Sequence, residues 1–131
     1  MVTRTYTVKD QCGNSVNIIH TINVNDTQPP VVIGSLTAAT VEGCSAGAAP
    51  AAKTTVAGLE TLPGGITIND ACTAKANLTV TSSSVSAGTC PIVVTRTYTV
   101  KDQCGNSINI IHTINVNDTQ APVVVGTLTT T

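Results

Sequence analysis

Residues 94–129 read VTRTYTVKDQCGNSINIIHTINVNDTQAPVVVGTLT, and residues 2–37 read VTRTYTVKDQCGNSVNIIHTINVNDTQPPVVIGSLT. The two stretches lie 92 residues apart and differ at four of 36 positions: Val16/Ile108, Pro29/Ala121, Ile33/Val125 and Ser35/Thr127. Within the second copy, Ile92, Val94, Arg96, Tyr98 and Val100 alternate with Val93, Thr95, Thr97 and Thr99. Ile108, Ile110, His112, Ile114 and Val116 alternate with Asn109, Ile111, Thr113 and Asn115. Period two with β-branched residues predicts two half-buried strands. The Lys101–Ser107 segment between them holds Gly105, which takes positive φ without cost, and Asn106, which tolerates it. The two runs therefore predict an antiparallel hairpin, and residues 2–24 predict the same hairpin one period earlier.

A fixed period with conservative drift marks a tandem array. Each hairpin is followed by Asn-Asp-Thr-Gln and then proline, at Pro30 and Pro122. Proline removes a ladder donor and fixes an extended kink, so it marks a boundary. The expected organisation is residues 1–28 as the C-terminal hairpin of a preceding repeat, 29–120 as one complete repeat, and 121–131 as the first strand of the following one. The chain reads as a window on a longer repetitive protein. Within the complete repeat, Val31–Ile33, Ile66–Ile68 and Leu78–Thr81 are expected strands, the Ala- and Gly-rich 38–55 region is expected to form loops and short edge strands, and no helix is expected. The predicted fold class is all-β, with immunoglobulin-like β-sandwich repeats arranged end to end.

Composition narrows the function classes. Aromatic residues are 2% of the chain, charged residues 10%, and the net charge is −1. Nucleic acid is not an expected partner, because no basic patch exists to hold phosphates. Membrane insertion is not expected either, because no apolar run approaches the roughly 18 residues a span needs. Five cysteines without CxxC or zinc spacing favour disulfides in an oxidising, extracellular compartment. Cys44, Cys72, Cys90 and Cys104 fall in the complete repeat and allow three pairings. Bridging Cys90 to Cys104 requires the chain to fold back, and geometry leaves Cys44–Cys104 with Cys72–Cys90 open as well. Cys12 copies Cys104, and every pairing within the repeat puts its partner outside the chain.

The string Thr95–Ser107, TRTYTVKDQCGNS, closing with Val116–Pro122, VNDTQAP, resembles the hyalin-repeat-like, immunoglobulin-like tandem repeats of very long surface adhesins in Bacteroidota, gliding-motility adhesins of the SprB type among them. The resemblance covers both hairpins closely and the central segment loosely. It implies a cell-surface location reached by type IX secretion. It also implies that Cys90 accompanies the Asp-x-Cys-Gly-Asn cysteine, Cys104, which leaves Cys44 with Cys72.

No nucleophile motif accompanies His20 or His112, and catalysis is not expected. Each histidine reads as a half-buried strand residue bonded to a neighbour, and Arg96 and Lys101 as surface partners of Asp102 or Glu42. Asp26, Asp118, Asn117 and Asp102 form a candidate calcium set, in which a linker acid meets a neighbour's loop; otherwise no cofactor is expected. The bland reading of these acids is an Asx-turn that binds its own backbone amides. The expected function is a non-catalytic rod or stalk repeat of an extracellular adhesin or filament, touching neighbouring repeats and identical chains in a fibre. The alternative is a glycan- or protein-binding module, which the absence of Trp disfavours. The residues on which the rod reading stands are the four repeat cysteines, Gly105, Asn106, Pro30 and Pro122.

Overall fold

A computed structural model describes residues 1–131. The chain is rich in strands, and its sheets do not close. β1 (Val2–Lys9) pairs with β2 (Ser15–Ile22) as an isolated antiparallel hairpin. β3 (Val31–Ile33) pairs with β5 (Thr67–Asn69). β4 (Ala39–Glu42), β8 (Ser107–Asn117), β7 (Ile92–Lys101) and β6 (Thr79–Ala87) form a four-stranded sheet in that order. Within it, β7 pairs antiparallel with both β6 and β8, whereas β4 runs parallel to β8. A cis Cys90–Pro91 bond leads into β7.

Both predicted hairpins form. Their loops are built alike: the Asp102 amide donates to the Asn106 carbonyl at 2.9 Å, and the Asp10 amide to the Asn14 carbonyl at 2.9 Å. Gly105 has φ +94° and Gly13 φ +87°, the left-handed values that glycine adopts freely. Asn106 does not share that conformation, since no residue other than glycine has positive φ. It contributes through its side chain instead.

One face of the four-stranded sheet is covered by the β3–β5 ribbon and a short helix, α1 (Val56–Glu60). The helix departs from the expectation of none. Thr55 caps it, accepting from the Gly58 amide at 3.0 Å through Oγ1, which satisfies one of the amides a helix start leaves open. Five residues are too few to show a helical period in sequence. The main core gathers Val56 and Leu59 of α1, Ile66, Ile68, Leu78, Tyr98, Val100 and Ile110. A second cluster holds Val94, Ile114 and Val116.

Between the two clusters sit Arg96 and His112, register partners on the inward face and both buried. Arg96 is therefore not a surface partner of Asp102 or Glu42. It donates through Nη1 to the Pro50 carbonyl at 2.8 Å and through Nε to Ser84 Oγ at 3.2 Å. Glu42 instead accepts from the Thr119 amide at 2.8 Å and the Thr119 hydroxyl at 2.7 Å. The salt bridge of the chain joins Lys75 to Glu60 at 2.7 Å. His112 is 4% exposed, and neither ring nitrogen makes a hydrogen bond of full geometry, although the Thr37 backbone beside it favours the charged ring. His20, its copy, is exposed.

The two hairpins share a sequence but not an environment. Tyr98 is 1% exposed and Tyr6 46%. Residues 121–131 form no strand and are exposed, although Val123–Val125 copies β3. β3 is a strand because β5 pairs with it, and the chain holds no second copy of β5.

Candidate functional site: an acidic junction

The hairpin loop between β7 and β8 is organised by Asp102. Its Oδ1 accepts from the Cys104 amide at 2.8 Å and the Asn106 amide at 2.8 Å, and its Oδ2 from Asn106 Nδ2 at 2.7 Å. Burial favours the protonated acid and is the largest single influence. The bonds from the Asn106 side chain and backbone, and from the Cys104 and Gly105 amides, together outweigh it and hold the carboxyl below its ordinary value. The copy at Asp10 is lowered as well, chiefly by the Asn14 side chain.

The connector after β5 presents the same device. Asp70 Oδ1 accepts from the Cys72 amide at 2.9 Å and the Thr73 amide at 2.7 Å. The two loops meet where the Gln103 amide donates to Thr73 Oγ1 at 3.3 Å. The linker from the preceding hairpin completes the group. Asp26 Oδ1 accepts from the Gln28 amide at 3.0 Å, and its backbone carbonyl accepts from Asn106 Nδ2 at 3.1 Å. Pro30 is fully buried just beyond it.

Asp26, Asp70 and Asp102 thus each offer a carboxylate oxygen within 4.8 Å of the others. Asp26 Oδ2 is buried there without a donor. Two of the expected calcium residues, Asp26 and Asp102, are brought together. Asp118 and Asn117 are not with them: they lie at the far end of β8, where Asp118 Oδ1 accepts from the Gln120 amide at 2.9 Å. Asp70 was not foreseen as a member. Its signal was the spacing shared by Asp70-Ala71-Cys72 and Asp102-Gln103-Cys104. Three hard oxygen donors suit a divalent cation such as calcium, which takes six to eight oxygens and would draw the rest from carbonyls and water.

All five cysteines are unpaired and exposed. The fold separates the pair that the family resemblance implied. Cys90 and Cys104 lie at opposite ends of β7, a ten-residue strand spanning about 33 Å, whereas a disulfide needs Cα atoms within about 7 Å. Cys44 is likewise apart from Cys72. The Gly43 amide, next to Cys44, donates to the Asn117 carbonyl at 3.1 Å, and Cys90 Sγ lies 4.0 Å from Asn117 Oδ1. Cys44 and Cys90 therefore flank the far end of β8, and Cys72 and Cys104 share the acidic end.

Comparison with known proteins finds no family model, curated protein or solved structure that matches the chain. No helix is long and apolar enough to cross a membrane.

Proposed function

We propose that residues 29–120 are one immunoglobulin-like repeat of a rod-forming extracellular adhesin or filament, and that its role is mechanical spacing rather than catalysis. The observation that carries this reading is where the chain enters and leaves the repeat. It enters at Asp26, held against the β7–β8 loop by Asn106. It leaves after Asn117, at the opposite end of the 11-residue strand β8. Entry and exit at opposite ends of one long strand are what a head-to-tail rod needs. β8 spans about 37 Å, and the few extended residues of the linker add up to about 16 Å. Each repeat would then advance the rod by roughly 40–50 Å.

The sequence identity of the two hairpins supports the same reading. The inward face of β1–β2 is bare here, and the corresponding face of β7–β8, which differs at Val16/Ile108, is covered by side chains from residues 32–80 of its own repeat. Calcium at Asp26, Asp70 and Asp102 would stiffen the junction by tying the linker of one repeat to two loops of the next, and the donorless Asp26 Oδ2 favours this refinement. Small-angle scattering on polypeptides of one, two and three consecutive repeats tests the proposal. The maximum dimension should grow by a constant 40–50 Å per added repeat; repeats that fold back on one another would refute it.

A further inference from the structure

We propose that Cys72 and Cys104 are a disulfide site that locks the connector after β5 to the β7–β8 loop beneath the Asp26 junction. Two contacts bring the loops that carry these residues together, and a matching turn in each loop fixes its cysteine. Their immediate neighbours are hydrogen-bonded, Gln103 N to Thr73 Oγ1 at 3.3 Å. Each cysteine amide is held by the aspartate two residues before it, Cys72 by Asp70 at 2.9 Å and Cys104 by Asp102 at 2.8 Å. Those two aspartates have carboxylate oxygens within 4.8 Å of each other. Two matching Asp-x-Cys turns thus stand against one another, anchored by a sheet in which Thr79 of β6 is already paired with Lys101 of β7. Both cysteines are exposed and open to an oxidant.

The other cysteines are less well placed. Cys44 follows β4 and Cys90 precedes β7, strands that β8 separates, and no hydrogen bond joins their loops as Gln103 and Thr73 join those of Cys72 and Cys104. Cys12 sits in the isolated hairpin, and the chain holds no copy of Cys72 for it.

Forming the disulfide joins the two sulfurs and releases two protons and two electrons. The electrons pass by thiol–disulfide exchange to a small disulfide such as oxidised glutathione, which leaves as two thiols.

The test uses the whole chain in a glutathione redox buffer containing a chelator, with free thiols then capped by N-ethylmaleimide. Trypsin digestion after unfolding separates Cys72 in residues 54–75, Cys90 in 76–96 and Cys104 in 102–131. The expected main product is 54–75 joined to 102–131, two hydrogens lighter than the sum of the free peptides. Cys12→Ser should leave its yield unchanged, and Cys72→Ser should leave Cys104 capped. Capture of both Cys72 and Cys104 by maleimide in the wild type would overturn the proposal. So would a main product joining Cys104 to 76–96, or to the Cys12- and Cys44-bearing peptide 10–53.

Discussion

Tyr6 and Tyr98 occupy the same place in identical strings, yet one is 46% and the other 1% exposed. Truncating each to alanine asks whether burial or local sequence sets the cost. Removing a buried aromatic ring costs about 3–5 kcal/mol. Tyr98 Oη also accepts from the Lys53 amide at 3.2 Å, and losing that bond adds about 1 kcal/mol. Tyr98→Ala should therefore cost about 4 kcal/mol or more, a large share of the 5–15 kcal/mol typical of a small domain. Tyr6→Ala should stay within about 0.5 kcal/mol, as surface changes do. Equilibrium urea unfolding, followed by far-UV circular dichroism, reads both. If Tyr98→Ala abolishes folding, Tyr98→Phe keeps the comparison open, since it deletes only the hydroxyl and should cost about 1 kcal/mol. In a polypeptide extended upstream by a whole repeat, Tyr6→Ala should become as damaging as Tyr98→Ala. Equal effects at the two sites in the 131-residue chain would refute the reasoning, as would a Tyr6 that stays insensitive in the extended one.

The remaining predictions concern the buried polar pair, a glycine turn and the acidic junction. Burial first, and Arg96 second, hold His112 below its ordinary value, with the Thr37 backbone opposing; the unfolded chain thus binds the proton more readily. Stability should be full above about pH 6.5 and fall as pH drops below it, by up to about 1.4 kcal/mol per pH unit; His112→Leu should flatten that slope in urea titrations between pH 7.5 and 5. Arg96→Ala leaves the Pro50 carbonyl without its donor and should cost about 1–3 kcal/mol, whereas Arg4→Ala in the exposed copy should cost almost nothing in the same assay. Gly64 has φ +126°, and a Cβ there would stand 2.2 Å from the Ser35 carbonyl oxygen, so Gly64→Ala should lower stability by about 2–4 kcal/mol in thermal unfolding. With a dissociation constant of about 0.1–1 mM, typical of extracellular calcium modules, 10 mM calcium should stabilise the chain by about 1.4–2.7 kcal/mol; Asp26→Asn should remove the gain, and a wild type indifferent to calcium would count against the site.

The hairpins were legible in sequence because strand periodicity is local: the alternation in residues 92–100 and 108–116 named the inward face position by position. That alternation also placed Arg96 and His112 inward. Only the habit of assigning charge to the surface hid the burial of Arg96, which the Pro50 carbonyl and Ser84 hydroxyl make tolerable. β4 in parallel register with β8 was not legible, because four residues in an Ala- and Gly-rich stretch carry little pattern and the pairing is long-range. α1 is too short to show a period. At the site, Asp26 and Asp102 were readable as linker and loop acids. Asp70 was not, since its role arises when the chain returns it to a loop 32 residues further on. The Cys90–Cys104 pairing came from the family resemblance, and the fold back it required is absent, because β7 runs straight between the two residues.

The claim beneath all of this is that a 92-residue period is a self-contained unit able to transmit tension. Pulling a polypeptide of several repeats in a force spectrometer tests it directly. The account predicts one force peak per repeat, with a length gain of about 280 Å when reduced, from 92 residues at about 3.5 Å each less a folded length of about 40 Å. Under oxidising conditions the gain should shorten by about 110 Å, because the chain between Cys72 and Cys104 is withheld. A featureless extension without peaks would contradict it.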